Sequence, residues 1–369
     1  MPERVSRRDF LVAITGVAVA AAAGCANRDY VAPTPYAPGS TGKADSPSTP
    51  ASTVEAARTG QPDPNYGRVT YDKMFTTPTE KLYVTQYDYS QTPAIDAATW
   101  KLTIDGLVEQ PLTLDYAAVK AFPVYEDTRT LECIGNPVGG DLIGNIVWRG
   151  FRFQEILDRV KVKPSATHAK FEAADGYSTS VKVEWITQPD VMMAYDMDGE
   201  PLTQVHGFPL RILMPGLYGQ KMPRWITHIQ FIDQDYLGYW ESNGWSNVAS
   251  VRTNSIIMTP NPAGTPVKVG DVVAIQGVAF AGKRKITKVE LKIGADDWQP
   301  ARLTQGDSPL AWTEWYYLWT PPKPDYFDIS VRATDDTGFT QTTPANGIFG
   351  DAAPDGADSI HHISVQASA

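Results

Sequence analysis

The sequence predicts an α+β domain followed by an all-β domain. From about Thr70 to Arg252, short strand-like and helix-like segments follow one another without the regular alternation of a doubly wound sheet, which favours the α+β class. From about Asn254 to Thr343, apolar and polar residues alternate with a period of two between Gly, Pro and Asp turns. These roughly 300 residues exceed one typical domain, so two domains are expected.

Four segments support the α+β prediction for residues 71–252. Trp100–Gly106 alternates apolar and polar residues before a turn and predicts a strand. Thr113–Val119 begins with a suitable N-cap residue and predicts a helix, and Phe153–Val160 predicts a second helix. Tyr195–Glu200 contains an Asp-Gly pair and predicts a hairpin.

Residues 253–345 have the pattern of a β-sandwich. About ninety residues of short alternating strands suggest an immunoglobulin-like sandwich, here without the cysteine pair of antibody domains. The predicted strands are Val267–Ile275, Ile286–Ile293, Trp312–Trp319 and Phe327–Ala333.

The N-terminus predicts export. Paired arginines, Arg7 and Arg8, precede an uncharged apolar stretch from Phe10 to Ala23, so residues 1–25 are predicted to be a twin-arginine signal. Small residues before Cys25 resemble a lipoprotein processing site, and the alternative is ordinary cleavage there. The expected location is the periplasm or the outer cell surface, with a lipid anchor on Cys25.

Two further segments are predicted to lack a fold of their own. Residues 26–70 are rich in Pro, Ser, Thr, Ala and Gly and predict a disordered tether. Residues 346–369 predict a flexible tail. The pair His361-His362 near its end could bind a metal, but a solvated tail is the stronger interpretation.

The overall charge limits the partners that the chain can have. The formal net charge is −10, which argues against nucleic acid and favours a basic or neutral redox partner. After residue 25, no stretch reaches the roughly 20 apolar residues that a membrane span needs.

Cys133 is the only cysteine after Cys25. In an oxidising compartment an unpaired thiol is a liability unless it is buried or bonded to something other than cysteine. Three interpretations follow: a thiolate ligand of a metal, an inert buried residue, or a nucleophile paired with His206. The Gly-Asn-Pro-Val-Gly-Gly context after Cys133 supplies neither a base nor an orienting group for the nucleophile.

Several motifs follow one another in a characteristic order. In chain order they are Leu131–Asn136, Trp148–Gly150, His206–Arg211, Met214–Gly216, Gly219–Trp225 and Asp235–Trp240. This order resembles the sulfite oxidase superfamily of molybdopterin enzymes, and the resemblance runs from about Met74 to Thr343. The family includes sulfite oxidases, bacterial sulfite dehydrogenases and the periplasmic catalytic subunit of methionine-sulfoxide reductase.

The resemblance implies a molybdenum-molybdopterin cofactor with Cys133 as the protein ligand to the metal and Tyr236 as a catalytic phenol. A phosphate dianion ends this cofactor, and arginine matches its oxygens well. Plain alternatives are surface charge for Lys221, simple packing for His206 and Tyr236, and an ordinary turn for Asp175. The implied cofactor-binding residues are Cys133, Gln86, Tyr87, Asp175, His206, Arg211, Gly219, Lys221 and Arg224.

Departures from the family pattern bear on the substrate. Sulfite oxidases place arginines in the stretches that here read Val84–Tyr87 and Gly135–Gly140, and neither contains a basic residue. Each lost charge-assisted hydrogen bond should weaken sulfite binding about tenfold or more, so sulfite is a doubtful substrate. The remaining expectation is a small oxyanion or a sulfoxide-type substrate.

The implied reaction is oxygen-atom transfer by an exported oxidoreductase, with sulfite dehydrogenase and sulfoxide reductase as the two options and the direction left open. The chain has no Cys-x-x-Cys-His motif for a covalently attached haem, so an external c-type cytochrome or membrane haem protein is expected to exchange the electrons. The competing class is a non-catalytic, lipid-anchored binding protein on the same scaffold. A homodimer is left open.

Overall fold

A computed structural model describes residues 76–90, 92–261, 267–306, 308–345 and 351–369. The predicted signal and tether lie outside these residues. Residues from Thr70 to Ala369 form one unit. Within the described residues, no helix is long and apolar enough to span a bilayer.

The first part of this unit is built on two sheets. One has the strand order β2-β1-β10-β5-β6, and the other has the order β3-β4-β7-β8, with β9 also pairing with β7. The strands are β1 Lys101–Gly106, β2 Leu112–Asp115, β3 Tyr125–Glu132, β4 Ile143–Arg152, β5 His168–Ala173, β6 Ser178–Lys182, β7 Met192–Met197, β8 Glu200–Pro201, β9 Arg211–Leu213 and β10 Ile226–Ile232.

Short helices connect these strands. They are α1 Tyr116–Lys120, α2 Gln154–Val160, α3 Val183–Ile186 and α4 Tyr239–Ser242, with 3-10 turns at Thr79–Lys81, Gln204–His206 and Gly219–Lys221. The predicted mixture of helices and sheets is therefore present, but the helices have only four to seven residues. Strand β5 alternates half-buried and buried positions, and its buried residues join one apolar core with those of β1, β4 and β10.

The second part, Asn254–Ser368, is called here the C-terminal β-module. Its two sheets have the orders β11-β13-β17-β16 and β12-β19-β18-β14-β15. One apolar cluster contains Ile275 and Trp315 from the first sheet and Val289 and Val331 from the second, so the sheets pack face to face. The immunoglobulin-like assignment stays a prediction. The strands are β11 Asn254–Thr259, β12 Val267–Lys268, β13 Val273–Phe280, β14 Ile286–Ile293, β15 Gln299–Pro300, β16 Arg302–Gln305, β17 Thr313–Trp319, β18 Asp325–Asp335 and β19 His361–Ser368.

Several predicted elements of the first part are confirmed. Strand β1 and helix α2 form where the pattern predicted them. The hairpin is also confirmed, because Met197 pairs with Glu200 across Asp198 and Gly199, whose φ angles are 50° and 84°. Two consecutive positive φ angles are typical of the turn that Asp-Gly favours.

The helix predicted over Thr113–Val119 is wrong at its start. Leu112–Asp115 is strand β2, which pairs with β1, and the helix begins only at Tyr116. The N-cap is Asp115, whose Oδ1 accepts a hydrogen bond from the Ala118 N–H at 2.8 Å. Thr113–Asp115 of the predicted helix therefore belongs to a strand, because these residues pair with β1.

Two predictions in the C-terminal β-module also need correction. The strand predicted over Val267–Ile275 is broken into β12 and β13, with Gly270 at a φ of 84° between them. The predicted flexible tail contains strand β19, which is hydrogen-bonded to β18 and β12. The reason is an alternating apolar pattern in which Val365 and Ala367 are each only 3% exposed.

Candidate functional site

Cys133 lies at the start of a hairpin loop between β3 and β4. Its N–H donates to the Leu142 carbonyl at 2.9 Å, and its carbonyl accepts from the Asn136 N–H at 3.0 Å. The Asn136 side chain also accepts from the Leu142 N–H at 3.0 Å. Cys133 is a free, half-buried residue, and a compact loop fixes the position of its sulfur atom.

The surroundings of the thiol favour its protonated form. Burial raises the pKa of Cys133, although hydrogen bonds from the Gly135 backbone and the Thr85 side chain act in the opposite direction. A bound cation reverses this balance, since a coordinating thiol is deprotonated outright. The indole of Trp245 packs on the same loop, and a Cβ added at Gly135 would lie 3.5 Å from its Cη2.

Arg211, at the start of β9, is a buried cation with an unused donor. It is 3% exposed, and its guanidinium stacks over the Trp148 ring with Cζ 5.0 Å from the centroid. Its Nη1 donates to the His206 carbonyl at 3.1 Å, whereas its buried Nε has no hydrogen-bond partner among the described residues. Burial lowers its pKa to about 9, with Arg224 as the next cause.

Arg224 approaches from the segment before β10. Its Nη2 donates to the Thr85 carbonyl at 2.7 Å and its Nη1 donates to the Val205 carbonyl. Burial lowers its pKa to about 10, and Asp175 opposes this effect. Gly207, with a φ of 111°, allows the close approach, because an added Cβ would lie 3.0 Å from the Arg224 Cβ.

His206 is a buried, neutral imidazole. Its Nδ1 is 2.7 Å from the Thr203 hydroxyl and its Nε2 is 3.4 Å from the Leu82 carbonyl. Burial lowers its pKa to about 4, with Arg211 as the second cause. The ring contacts recorded in the described residues go to Thr203 and Leu82 and not to Cys133, so the cysteine-histidine nucleophile finds no support.

Tyr87 and Asp175, both predicted cofactor-binding residues, contact each other. The Tyr87 hydroxyl donates to the Asp175 backbone carbonyl, and the Asp175 Oδ1 accepts from the Tyr177 N–H at 3.1 Å. Burial raises the pKa of Asp175. Gln86 is buried and donates to the Thr92 hydroxyl at 3.3 Å.

Lys221 is not a surface charge, because it is fully buried. Its Nζ is 2.5 Å from Glu241 Oε1, and it also donates to the Ser180 carbonyl at 3.0 Å and to Asn247 Oδ1 at 3.2 Å. The structure therefore gives this ammonium a complete set of protein partners. Its role in cofactor binding stays a prediction.

Two side chains near the cysteine were missed by the sequence analysis. Tyr83 lies beside Gly219, where an added Cβ would be 3.1 Å from the Tyr83 hydroxyl. Burial raises the Tyr83 pKa well above its usual value, with Cys133 as the second cause, and Arg211 acts in the opposite direction. The other is Thr85. Both sit in or next to Val84–Tyr87, the stretch already marked as a departure from the family pattern.

Tyr236 makes its contacts with Ser178 and Lys170. Its hydroxyl is 2.8 Å from the Ser178 hydroxyl, and Lys170 Nζ lies 4.5 Å from its ring centroid. No contact recorded in the described ranges links it to Cys133. Tyr239, three residues further on, is the member of this segment that packs against Tyr87, with ring centroids 5.1 Å apart.

This arrangement fits an anionic, phosphate-bearing cofactor. Arg211 and Arg224 are buried or half-buried cations that form no carboxylate salt bridge within the described ranges, and the Nε of Arg211 remains unused. An orphaned buried donor costs free energy, and a phosphate oxygen would satisfy it. The buried cations therefore suit an anionic ligand, and the role of Cys133 as a metal ligand stays a prediction.

Comparisons with known proteins identify the class of protein. Residues 89–240 match the family model described as "Oxidoreductase molybdopterin binding domain". An uncharacterized oxidoreductase of Bacillus subtilis, YuiH, is 35% identical, with 48% of this chain and 86% of that protein covered. The chain belongs to the sulfite oxidase superfamily of molybdopterin-dependent oxidoreductases.

Two further comparisons cover more of this chain. Mitochondrial sulfite oxidase of Drosophila melanogaster is 32% identical over 68% of this chain and 51% of that protein, so the chain spans about half the length of that relative. Among solved structures, the sulfane dehydrogenase SoxCD of Paracoccus pantotrophus matches with a TM-score of 0.67 and 23% identity, over 86% of this chain and 94% of that chain. This likeness shows a shared fold.

Proposed function

We propose that this protein is an exported molybdenum-cofactor oxidoreductase that transfers an oxygen atom to or from a small substrate, with Cys133 as the protein ligand to the metal. One observation carries the proposal: Thr85 hydrogen-bonds to Cys133 through its side chain and accepts from Arg224 Nη2 through its carbonyl at 2.7 Å, so one residue links the proposed metal ligand to a proposed phosphate ligand. When bound, the cofactor supplies two-electron oxygen-atom transfer chemistry.

The residues of this chain have separate tasks in the proposal. Cys133 provides a strongly donating thiolate, and the Asn136 turn fixes its direction. Arg211 and Arg224 hold the phosphate, with the free Nε of Arg211 as the best-placed donor. His206, neutral because its pKa is about 4, offers a hydrogen bond without adding charge.

The substrate proposed here is a sulfoxide-type compound rather than sulfite. The loop that presents Cys133 is covered by the Trp245 indole, and the hydroxyl of Thr85 approaches the thiol where sulfite oxidases place arginine. An aromatic wall with neutral donors suits a neutral substrate better than a dianion. Sulfite oxidation is the second candidate, since one relative at 32% identity is named a sulfite oxidase.

Electron exchange in this proposal needs an external c-type cytochrome or membrane haem protein. Export by the twin-arginine route and a lipid anchor on Cys25 would hold the protein near such a partner at a membrane surface. Mass spectrometry of the mature N-terminus tests the anchor. An unmodified start away from Cys25 would refute it.

Metal analysis of the full chain, exported by a host that makes the cofactor, tests the central part of the proposal. We expect about one molybdenum per chain, with Cys25→Ser as a matched control that keeps the metal and Cys133→Ser as the variant that loses activity. A chain without molybdenum would favour the non-catalytic binding protein. A screen of sulfite and varied sulfoxides with artificial electron donors and acceptors then identifies the substrate.

A further inference from the structure

The loop that carries Cys133 packs against the C-terminal β-module. The residues that flank this loop, Ile134 and Ile143, are buried in a cluster with Ile256, Val278 and Phe280 of strands β11 and β13. This cluster is separate from the main core of the first part of the unit. The loop therefore takes part of its apolar support from the β-module.

A buried polar contact adds to this support. The side-chain amide of Asn254, the first residue of β11, donates to both carboxylate oxygens of Glu132 at 3.2 and 3.0 Å. Glu132 is the residue immediately before Cys133, and it also accepts from Asn136 at 3.0 Å. The base of the loop is thus tied to β11 through a hydrogen-bonded side chain.

His361, the first residue of β19, contacts the far side of the same loop. Its Nδ1 accepts a hydrogen bond from the Ile257 N–H at 3.0 Å, which leaves the ring proton on Nε2 when the imidazole is neutral. Burial lowers the pKa of His361 to about 4, with His362 as the second cause. The ring is therefore neutral and oriented by β11.

The free edge of the His361 ring lies against Gly139. A Cβ added at Gly139 would lie 2.2 Å from His361 Nε2 and 2.4 Å from Cδ2, and the φ of Gly139 is 73°. Glycine is required here twice over, for its backbone conformation and for the close approach of the ring. No other loop glycine between Cys133 and Leu142 is packed against the β-module in this way in the described ranges.

We propose that His361 is a positioning residue for Cys133, and that the C-terminal β-module acts as a clamp that fixes the loop presenting the thiol. The ring limits the movement of the Gly139 turn, and the short hairpin from Cys133 to Leu142 transmits this restraint to the thiol. The inference rests on the proposed function in one respect, since it assigns the clamp a purpose only if Cys133 binds the metal.

Alkylation of the cofactor-free full chain tests the clamp without any metal. Iodoacetamide labelling of the folded, unprocessed protein retained in the cytoplasm, where Cys25 carries no lipid, is followed by peptide mass spectrometry. It measures Cys133 and uses Cys25 as an internal control. We expect His361→Ala to raise the Cys133 rate at least fivefold with the Cys25 rate unchanged, because a loosened loop exposes the thiol. His362→Ala, at the exposed neighbouring position, should leave both rates unchanged. A Cys133 rate in His361→Ala within twofold of wild type, or lower, would overturn the proposal.

A second variant separates the clamp from the pairing of β19. His361→Asn keeps an acceptor for the Ile257 N–H but removes the ring atoms that face Gly139, so β19 should stay paired while the Cys133 rate still rises. In addition, Gly139→Ala should raise the rate strongly in the wild-type background and much less in His361→Ala, because the clashing ring is gone. Equal fold-increases in the two backgrounds would contradict the contact.

The loaded protein gives a readout that a general loss of stability would not produce. In His361→Asn with wild-type molybdenum content, we expect a shifted molybdenum reduction potential, whereas His362→Ala keeps the wild-type value. An unshifted potential would count against the positioning role. Absence of molybdenum in all variants would instead refute the proposed function, and the alkylation result would still decide whether the clamp exists.

Discussion

Two buried cations in the first part of the chain have opposite surroundings. Lys221 is fully buried and is paired with Glu241, itself buried, at 2.5 Å. Arg211 is 3% exposed, makes no carboxylate salt bridge in the described ranges, and keeps an Nε without a partner. Burial of a charge without a counter-charge is expensive, so Lys221 has its counter-charge within the fold, whereas an added anion would stabilise Arg211. Oε2 of Glu241 itself has no hydrogen-bond partner among the described residues.

This difference gives two cations of one sequence stretch different proposed roles. Arg211 and Lys221 lie ten positions apart in a stretch that matches the family's pterin-binding segment, and the sequence alone gave both the same role. The contacts of Lys221 instead connect the turn before β10 with α4, the helix that carries Tyr239. Disrupting the Lys221 pair and removing Arg211 should therefore have different consequences.

The largest expected effect comes from breaking the Lys221 pair. Glu241→Ala leaves a buried ammonium with only neutral partners, so the free energy of unfolding should fall by about 3–5 kcal/mol. Urea unfolding of the cofactor-free chain measures this loss. The matched control is the double change Lys221→Met with Glu241→Leu, which should recover most of the stability. A loss below about 1 kcal/mol in Glu241→Ala would show that the pair is not the anchor of α4.

Arg211→Met should instead weaken cofactor binding and leave the stability of the cofactor-free chain nearly unchanged. Cofactor retention should weaken by roughly 10–100-fold, because a charge-assisted hydrogen bond contributes about 1.5–3 kcal/mol. The cofactor-free chain should lose little stability, since the removed guanidinium has no counter-charge within the described residues. Molybdenum and pterin content after dialysis measures retention, with Arg211→Lys as the conservative control. Full retention in Arg211→Met would contradict the phosphate role.

The acid sensitivity of the chain should change with the same substitution. The His206 pKa is about 4 in the fold against 6.5 ordinarily, with burial as the first cause and Arg211 as the second. Between these values the unfolded chain binds more protons, so the unfolding free energy falls as pH drops from 6.5 toward 4. In Arg211→Met the His206 pKa should rise, and this fall should shrink.

Unfolding at pH 7 and pH 5, together with a His206 ring titration by NMR, measures the effect. Lys221→Met should leave the His206 titration unchanged, because Lys221 is not among the groups that shift it. An unchanged His206 pKa in Arg211→Met would show that Arg211 does not influence His206. It would weaken the contrast drawn between Arg211 and Lys221.

The smallest effect belongs to an exposed pair. Arg159 and Glu155 form an i,i+4 salt bridge of 3.1 Å on α2, and both side chains are partly exposed. Arg159→Ala should change the unfolding free energy by no more than about 0.5 kcal/mol and should not alter cofactor content. A larger loss would mean that stacking of Arg159 over the Phe122 ring contributes more than the ion pair.

The sequence predicts site residues best where their chemistry is local to a motif. Cys133, Arg211 and Arg224 were selected because thiolate and guanidinium groups in that order suit one cofactor, and their roles stay predictions. Tyr83, Thr85 and the β-module contacts of the cysteine loop were missed, since they depend on segments that only the folded chain brings together. Lys221 was given a shared role because its partner, Glu241, lies twenty residues away and carries no motif.

The fold was predictable where one pattern dominated. Strand β14 matches its prediction over Ile286–Ile293, because a period-two pattern ends at turns on both sides. The predicted start of α1 was wrong because Leu112–Asp115 fits both a helix-capping pattern and a strand pattern. Pairing with β1 makes it a strand. Strand β19 was missed because the Gly, Asp and Ala-rich segment that precedes it suggested a solvated tail.

X-ray absorption at the molybdenum edge tests the central claim most directly. The claim is that Cys133 supplies a thiolate to a metal held beside Arg211 and Arg224. For protein exported by a cofactor-competent host, we predict molybdenum with three sulfur neighbours, two from the pterin and one from Cys133, and only two in Cys133→Ser. Two sulfur neighbours in both proteins would contradict the assignment.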